Sequence, residues 1–141
     1  MIYLDASVLV SALTREPQSA AVRAGLQSAS QLQVSGWTEL ETASTISTKR
    51  RRGDLTVPQH QLALQLLEAA TALNWTSINI VEGDYSAARN WVSDPALGLR
   101  GGDALHLAIA QRHGLAIATL DIGMAKAARH LAIPCAPLSP A

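Results

Sequence analysis

Three aspartates stand where a carboxylate could do chemistry. Asp5 ends the short apolar run Ile2, Tyr3, Leu4; Asp103 follows Arg100, Gly101 and Gly102; Asp121 follows Thr119 and Leu120. Each precedes a stretch of helical character, and each alone reads as a helix N-cap, a place Asp favours because its side-chain oxygen accepts from a free backbone N–H. As a set they carry more information. Carboxylates gathered within a few ångströms repel, and unless a cation neutralises them one or more must hold a proton. An oxygen-only donor set suits a hard divalent ion, Mg²⁺ or Mn²⁺, bound through a few carboxylates and completed by water and substrate phosphate. Phosphodiester hydrolysis follows, because such an ion acidifies bound water and stabilises charge on the phosphate and the leaving oxygen.

A fold that serves this chemistry must bring three helix starts to one place. Short strands are expected over residues 2–4, 32–35, 78–81 and 115–120, with a last short one over 133–135. A helix starts after Asp5, and others are expected over 17–28, 38–52, 58–73, 84–92, 101–113 and 122–131, with Gly53 and Gly114 as C-terminal caps. Asp94, Pro95 and Gly98 mark a loop. Continuous apolar strands alternating with helices predict an α/β fold with a short, mainly parallel sheet covered on both faces. In such a sheet the site lies at the carboxyl ends of the strands where their order reverses.

The chain has 141 residues, 48% hydrophobic and 16% charged, which fits one globular domain over 1–141. No apolar run reaches the roughly 18 residues of a membrane span, and the N-terminus lacks a secretory pattern, so a cytoplasmic protein is expected. A single cysteine, Cys135, excludes an internal disulfide and a thiolate zinc site, and the four histidines lack paired-ligand spacing. Eleven acids balance eleven bases. Sequestering acids in a site would leave the remaining surface positive, which favours an anionic polymer. The densest basic run, Lys49 to Arg52, wraps a whole helix turn, so it cannot serve one groove entire; interaction with the helix C-terminal dipole competes with phosphate contact. Arg100, three residues before Asp103, is better placed for a substrate phosphate.

Four stretches occur in order along the chain: MIYLDASVLV at 1–10, SGWTELETAS at 35–44, RGGDALHLA at 100–108 and ATLD at 118–121. With them the chain resembles PIN-domain ribonucleases, specifically VapC-type toxins of bacterial toxin–antitoxin pairs, over residues 1–134. The resemblance implies a PIN-like α/β/α sandwich and a metal-dependent endoribonuclease acting on RNA. It implies Asp5, Glu41, Asp103 and Asp121 as the acidic site, Asp5 and Asp103 as metal ligands, and Mg²⁺ or Mn²⁺ as cofactor. Ser7 matches a small polar residue that can hydrogen-bond into the site. A VapB-type antitoxin is the implied partner, with a basic side chain, Arg, placed among the four acids.

Glu39 competes with Glu41. Two residues turn a helix by about 200°, so both cannot face one metal. Periodicity does not separate them; the family pattern of an acid followed by small residues selects Glu41, Thr42, Ala43, Ser44. His106 is left outside the site, Thr119 reads as a strand threonine, Trp37, Trp75 and Trp91 as core, Asp84 and Asp94 as solvated, and Cys135 as a small buried residue. Other chemistries fit less well. An aspartyl-phosphate phosphatase wants a second acid where Ser7 stands, and a phospho-acceptor domain wants paired early acids and a late-strand lysine, whereas the only lysines are Lys49 and Lys126. A non-catalytic PIN-like scaffold would be marked by lost site acids, and none is lost.

The Ala- and Leu-rich helices over 17–28 and 58–73 offer more apolar surface than one small sheet requires, and the family forms dimers. A two-fold homodimer is therefore expected. Light scattering in the micromolar range should give twice the chain mass; a monomer would remove the dimer.

Overall fold

The structure is a computed structural model that describes residues 1–73 and 75–138. Strands β1 (Ile2–Leu4), β2 (Leu32–Ser35), β3 (Thr76–Ile78) and β4 (Ala116–Ala118) form a parallel sheet in the order β3-β2-β1-β4. Parallel neighbours need crossovers, and helices supply them. Helices α1 (Ala6–Leu13) and α2 (Ser19–Ser28) connect β1 to β2; α3 (Gly36–Arg51) and α4 (Val57–Leu73) lead to β3. Next come α5 (Glu82–Val92), a 3₁₀ turn (Pro95–Leu97) and α6 (Gly101–Arg112), which leads into β4, and then α7 (Ile122–His130).

Successive strand residues point to opposite faces. Tyr3 and Ile117 pack with Ala88, Leu107, Ile109 and Ala127 from α5, α6 and α7. Leu4, Val34 and Ala118 pack with Val8, Leu9, Val22 and Leu67 from α1, α2 and α4. The result is a three-layer α/β/α sandwich, and burial on both faces is why β1 and β4 read as continuous apolar runs. The chain runs β1, β2, β3 outward on one side and returns to place β4 on the other side of β1. The order therefore reverses between β1 and β4, whose carboxyl ends lead to Asp5 and to Asp121.

Local chemistry moves several boundaries. Helix α3 starts two residues before the expected 38, because Ser35 Oγ accepts from Thr38 N while Thr38 Oγ1 accepts from Ser35 N, a reciprocal cap. It stops where Gly53 takes φ +83° and Asp54 N reaches back to Lys49 O. Strand β3 lies at 76–78, not 78–81: it is an edge strand whose Thr76 and Ser77 are exposed, while Val81 caps α5. Strand β4 is shorter than expected because Leu120 N and Asp121 N bond to the side chains of Ser7 and Thr119. The expected last strand is a single bridge between Ile117 and Cys135, and Cys135 is exposed, not buried. On α4 the leucines at 62 and 66 face outward, 55% and 44% exposed, while Ala63 and Leu67 make the buried face.

Asp84 is buried, not solvated. Arg112 on α6 donates to it twice, Nε to Oδ1 at 2.7 Å and Nη2 to Oδ2 at 2.9 Å, and Val81 N donates to Oδ2 at 3.0 Å. This pair joins α5 to α6. Burial pushes the Asp84 carboxyl up, but the Arg112 guanidinium outweighs it and holds the group below the usual range. The pair's stabilisation is thus complete above the ordinary carboxylate pKa and fades as pH falls through the depressed one. Arg112→Ala leaves a buried carboxylate unpaired and should cost about 2–3 kcal/mol at neutral pH. Urea denaturation should show the two proteins converging only below about pH 4.

Candidate active site

The site begins with the turn that ends β1. Asp5 caps α1, its Oδ1 accepting from Val8 N at 3.2 Å and from Ser7 Oγ at 2.6 Å, while Oδ2 accepts from Thr119 Oγ1. Asp5 N donates to Ala118 O, so the ends of β1 and β4 are stitched by backbone and side chains alike. The residue is 2% exposed. Burial pushes its carboxyl up, against the pull of Ser7 and Thr119. Ser7 Oγ also accepts from Leu120 N, and Thr119 Oγ1 from Asp121 N. Asp121 in turn caps α7 through Met124 N at 2.8 Å.

The other two acids come from helices. Asp103 is in the first turn of α6, behind the N-cap Arg100, whose Nε lies 3.5 Å from Asp103 Oδ2. Burial pushes the Asp103 carboxyl up, Arg100 opposes, and the negative charges of Asp121 and Glu41 add to the rise. Glu41 stands in the second turn of α3, with Oε2 2.7 Å from His106 Nε2. All four acids line one open cavity of about 350 Å³, together with Ser7, Lys49 and Arg100. Glu39 does not; it faces Leu64, Leu67 and Glu68 on the side of α4. The donors are all carboxylate oxygens, which fits a hard divalent ion. Among the described residues no three Asp, Glu, His or Cys are already gathered at ligand distance, so an ion here would draw on water and substrate oxygens as well.

Residues 2–130 match the family model of the PIN domain. The chain belongs to the PIN-domain family.

The PIN fold here is similar to that of Mycobacterium tuberculosis VapC20, described as a sarcin–ricin loop cleaving toxin: TM-score 0.74 and 15% identity over 90% of this chain and 95% of that one. It is also similar to FitAcB from Neisseria gonorrhoeae, with TM-score 0.67 and 20% identity over 98% of both chains. A third likeness is to FitAB bound to an IR36 DNA fragment, with TM-score 0.67 and 22% identity over 92% of this chain and 91% of that one. No curated protein matches the chain. At these identities the structural likeness is one of fold.

Two residues behind the cleft acids of this PIN domain were left outside the site by the sequence reading. Thr119 lies just beyond β4, not in a strand, and donates into Asp5. His106, left outside, contacts Glu41; its place three residues after Asp103 on one helix was the available signal. Its other nitrogen meets Tyr3, whose phenol burial pushes up to about 12, so Tyr3 keeps its proton at neutral pH. Of the basic run only Lys49 lines the cavity, two turns beyond Glu41 and 2.9 Å from Glu16. Arg50 bonds Leu55 O and Arg51 bonds Thr48, local roles near the helix end. Arg100 projects from the rim, its side chain 85% exposed. Trp37 is half-buried, as expected for core, and donates to Gly102 O.

The electrostatics give a direct test. A carboxyl whose pKa is raised in the folded state destabilises the fold at pH values above it. In metal-free buffer at neutral pH, Asp103→Asn should raise the melting temperature, and the gain should shrink as pH is lowered. A lower melting temperature for the variant would show that Asp103 is stabilised by its surroundings.

Proposed function

We propose that this PIN domain is a metal-dependent endoribonuclease and the toxin of a cytoplasmic toxin–antitoxin pair, hydrolysing RNA at the cleft of Asp5, Glu41, Asp103 and Asp121. The observation that carries this reading is the convergence of four carboxylates, from α3, α6 and the turns after β1 and β4, on one open cavity. Asp5 and Asp103 would hold Mg²⁺ or Mn²⁺, which when bound acidifies a water and stabilises charge on the phosphate. Ser7 and Thr119 fix the Asp5 oxygens. Glu41 reaches the cavity with one oxygen tied to His106, leaving the other to orient a water and take up its proton. Asp121 lines the same cavity. Arg100 at the rim and Lys49 in the wall offer positive charge to backbone phosphates on either side.

The toxin assignment draws on the sequence resemblance and on the likeness to VapC20. The partner is then a VapB-type antitoxin, with an Arg among the acids in place of the metal, and the assembly a homodimer. The outward leucines of α4 supply apolar surface for either association.

Mg²⁺ should raise the melting temperature of the parent and support cleavage of RNA, and Asp103→Asn should abolish both effects. Glu41→Gln should slow cleavage by about a hundredfold while Glu39→Gln stays within about threefold. Equal cleavage by Asp103→Asn and the parent in matched metal would sink the assignment.

A further inference from the structure

Behind the Glu41 carboxylate runs a file of buried polar groups. His106 is 0% exposed in the middle of α6, between the core residues Leu105 and Leu107. Its Nε2 lies 2.7 Å from Glu41 Oε2 and its Nδ1 3.0 Å from Tyr3 Oη. Tyr3, also fully buried, lies 2.8 Å from Ser35 Oγ and 3.1 Å from Thr38 Oγ1. An apolar side chain at 106 would fill a core position without needing partners, whereas a buried imidazole is costly unless both nitrogens are satisfied. Here both are.

The directions of these bonds follow from donor chemistry. A carboxylate oxygen only accepts, so the ring proton facing Glu41 is on Nε2, and in the neutral imidazole Nδ1 is left to accept from the Tyr3 hydroxyl. Tyr3 Oη can then accept from Ser35 Oγ–H, whose oxygen is free to accept from Thr38 N at the start of α3. Gly102 bounds Glu41 from the other side: a Cβ there would stand 3.4 Å from Glu41 Oε1 and 2.8 Å from the Trp37 ring. We infer that His106 is a positioning residue, fixed by Tyr3 as the Nε2–H tautomer and holding Glu41 Oε2 so that Oε1 is presented to the cleft. The inference rests on the nuclease reading for its catalytic consequence, but not for the tautomer. A bond from N–H to a carboxylate is stronger than a neutral one and directional, so it restricts Glu41 through Oε2 and leaves Oε1 outside that bond.

Three substitutions separate positioning from simple packing. His106→Leu keeps bulk and loses both bonds; His106→Gln keeps one donor and one acceptor at the end of the side chain; Tyr3→Phe removes one hydroxyl, two bonds away from Glu41. With folding checked by circular dichroism, His106→Leu should lower kcat by about tenfold or more with KM within about twofold, Tyr3→Phe should lower kcat less, and His106→Gln should keep most of it. On a Glu41→Gln background His106→Leu should have almost no further effect, because the two residues act as one unit. Nitrogen-15 NMR of the parent imidazole should show the proton on Nε2, and Tyr3→Phe should weaken that preference. Parent kcat in His106→Leu, multiplying effects in the double variant, or a proton on Nδ1 would each overturn the inference. If the parent does not cleave RNA, the nuclease reading falls, and the tautomer and its response to Tyr3→Phe still decide whether Tyr3 and His106 hold Glu41.

Discussion

A carboxylate shielded from water must be given hydrogen-bond donors or take up a proton, and Asp5 is given three donors: Ser7 Oγ, Val8 N and Thr119 Oγ1. The first two are local and come with the start of α1. The third comes from the far side of the strand-order reversal, 114 residues away in sequence. Satisfying this one acid therefore specifies that the end of β4 lies beside the end of β1. Thr119, while donating to Asp5, accepts from Asp121 N, and Asp121 caps α7. A second acid is aimed at the cleft by the group that satisfies the first.

The remaining constraint is repulsion among like charges. Each acid has some partner of its own: Asp103 has Arg100, Glu41 has His106, and Asp5 and Asp121 have backbone N–H groups at helix starts. These partners do not cancel the mutual field, since Asp121 and Glu41 still push the Asp103 carboxyl upward. Burial works in the same direction at Asp5 and Asp103, so the two carboxylates most in need of positive charge share one cavity. A site that costs stability when empty gains it on binding a cation, which is how a fold converts poor local electrostatics into affinity.

What could be read from the sequence was what is local. The α/β order, the helix starts at Asp5 and Asp121, and the caps at Gly53 and Gly114 depend on residues within a turn of one another. Long-range partnership was not legible. Asp84 read as solvated because its partner Arg112 is 28 positions away, and His106 was left outside the site because its bond to Glu41 spans 65 positions. His106 is in fact in the core and polar there, with partners 65 and 103 residues distant. The edge strand β3 was misplaced for a related reason: Thr76 and Ser77 are exposed and give no apolar signal, while Ile80 and Val81 beyond them do. Glu39 and Glu41 could be separated by periodicity only if one helix face were uniformly apolar, and α3 mixes small polar residues into both, with Thr38 and Thr42 buried.

The same mixing shows how α3 does two jobs. Ile46 packs with Val10, Leu55 and Ala63 inside the fold, while Glu41 and Lys49 line the cavity. The helix is thus a wall whose placement sets where one acid of the cleft stands relative to another, and its close approach to the start of α6 relies on the absence of a Cβ at one glycine. Of the two glycines before Asp103, Gly101 faces open space, and a Cβ there would meet nothing within 4 Å. Gly102 lies under Trp37, whose Nε1 donates to the Gly102 carbonyl, and a Cβ there would stand 2.8 Å from the ring. Neither glycine has positive φ, so the pair is not explained by backbone conformation. Gly102 is explained by proximity: it lets α3 approach until Glu41 meets His106 on the same helix that carries Asp103, which is the spacing on which a shared acidic cleft depends.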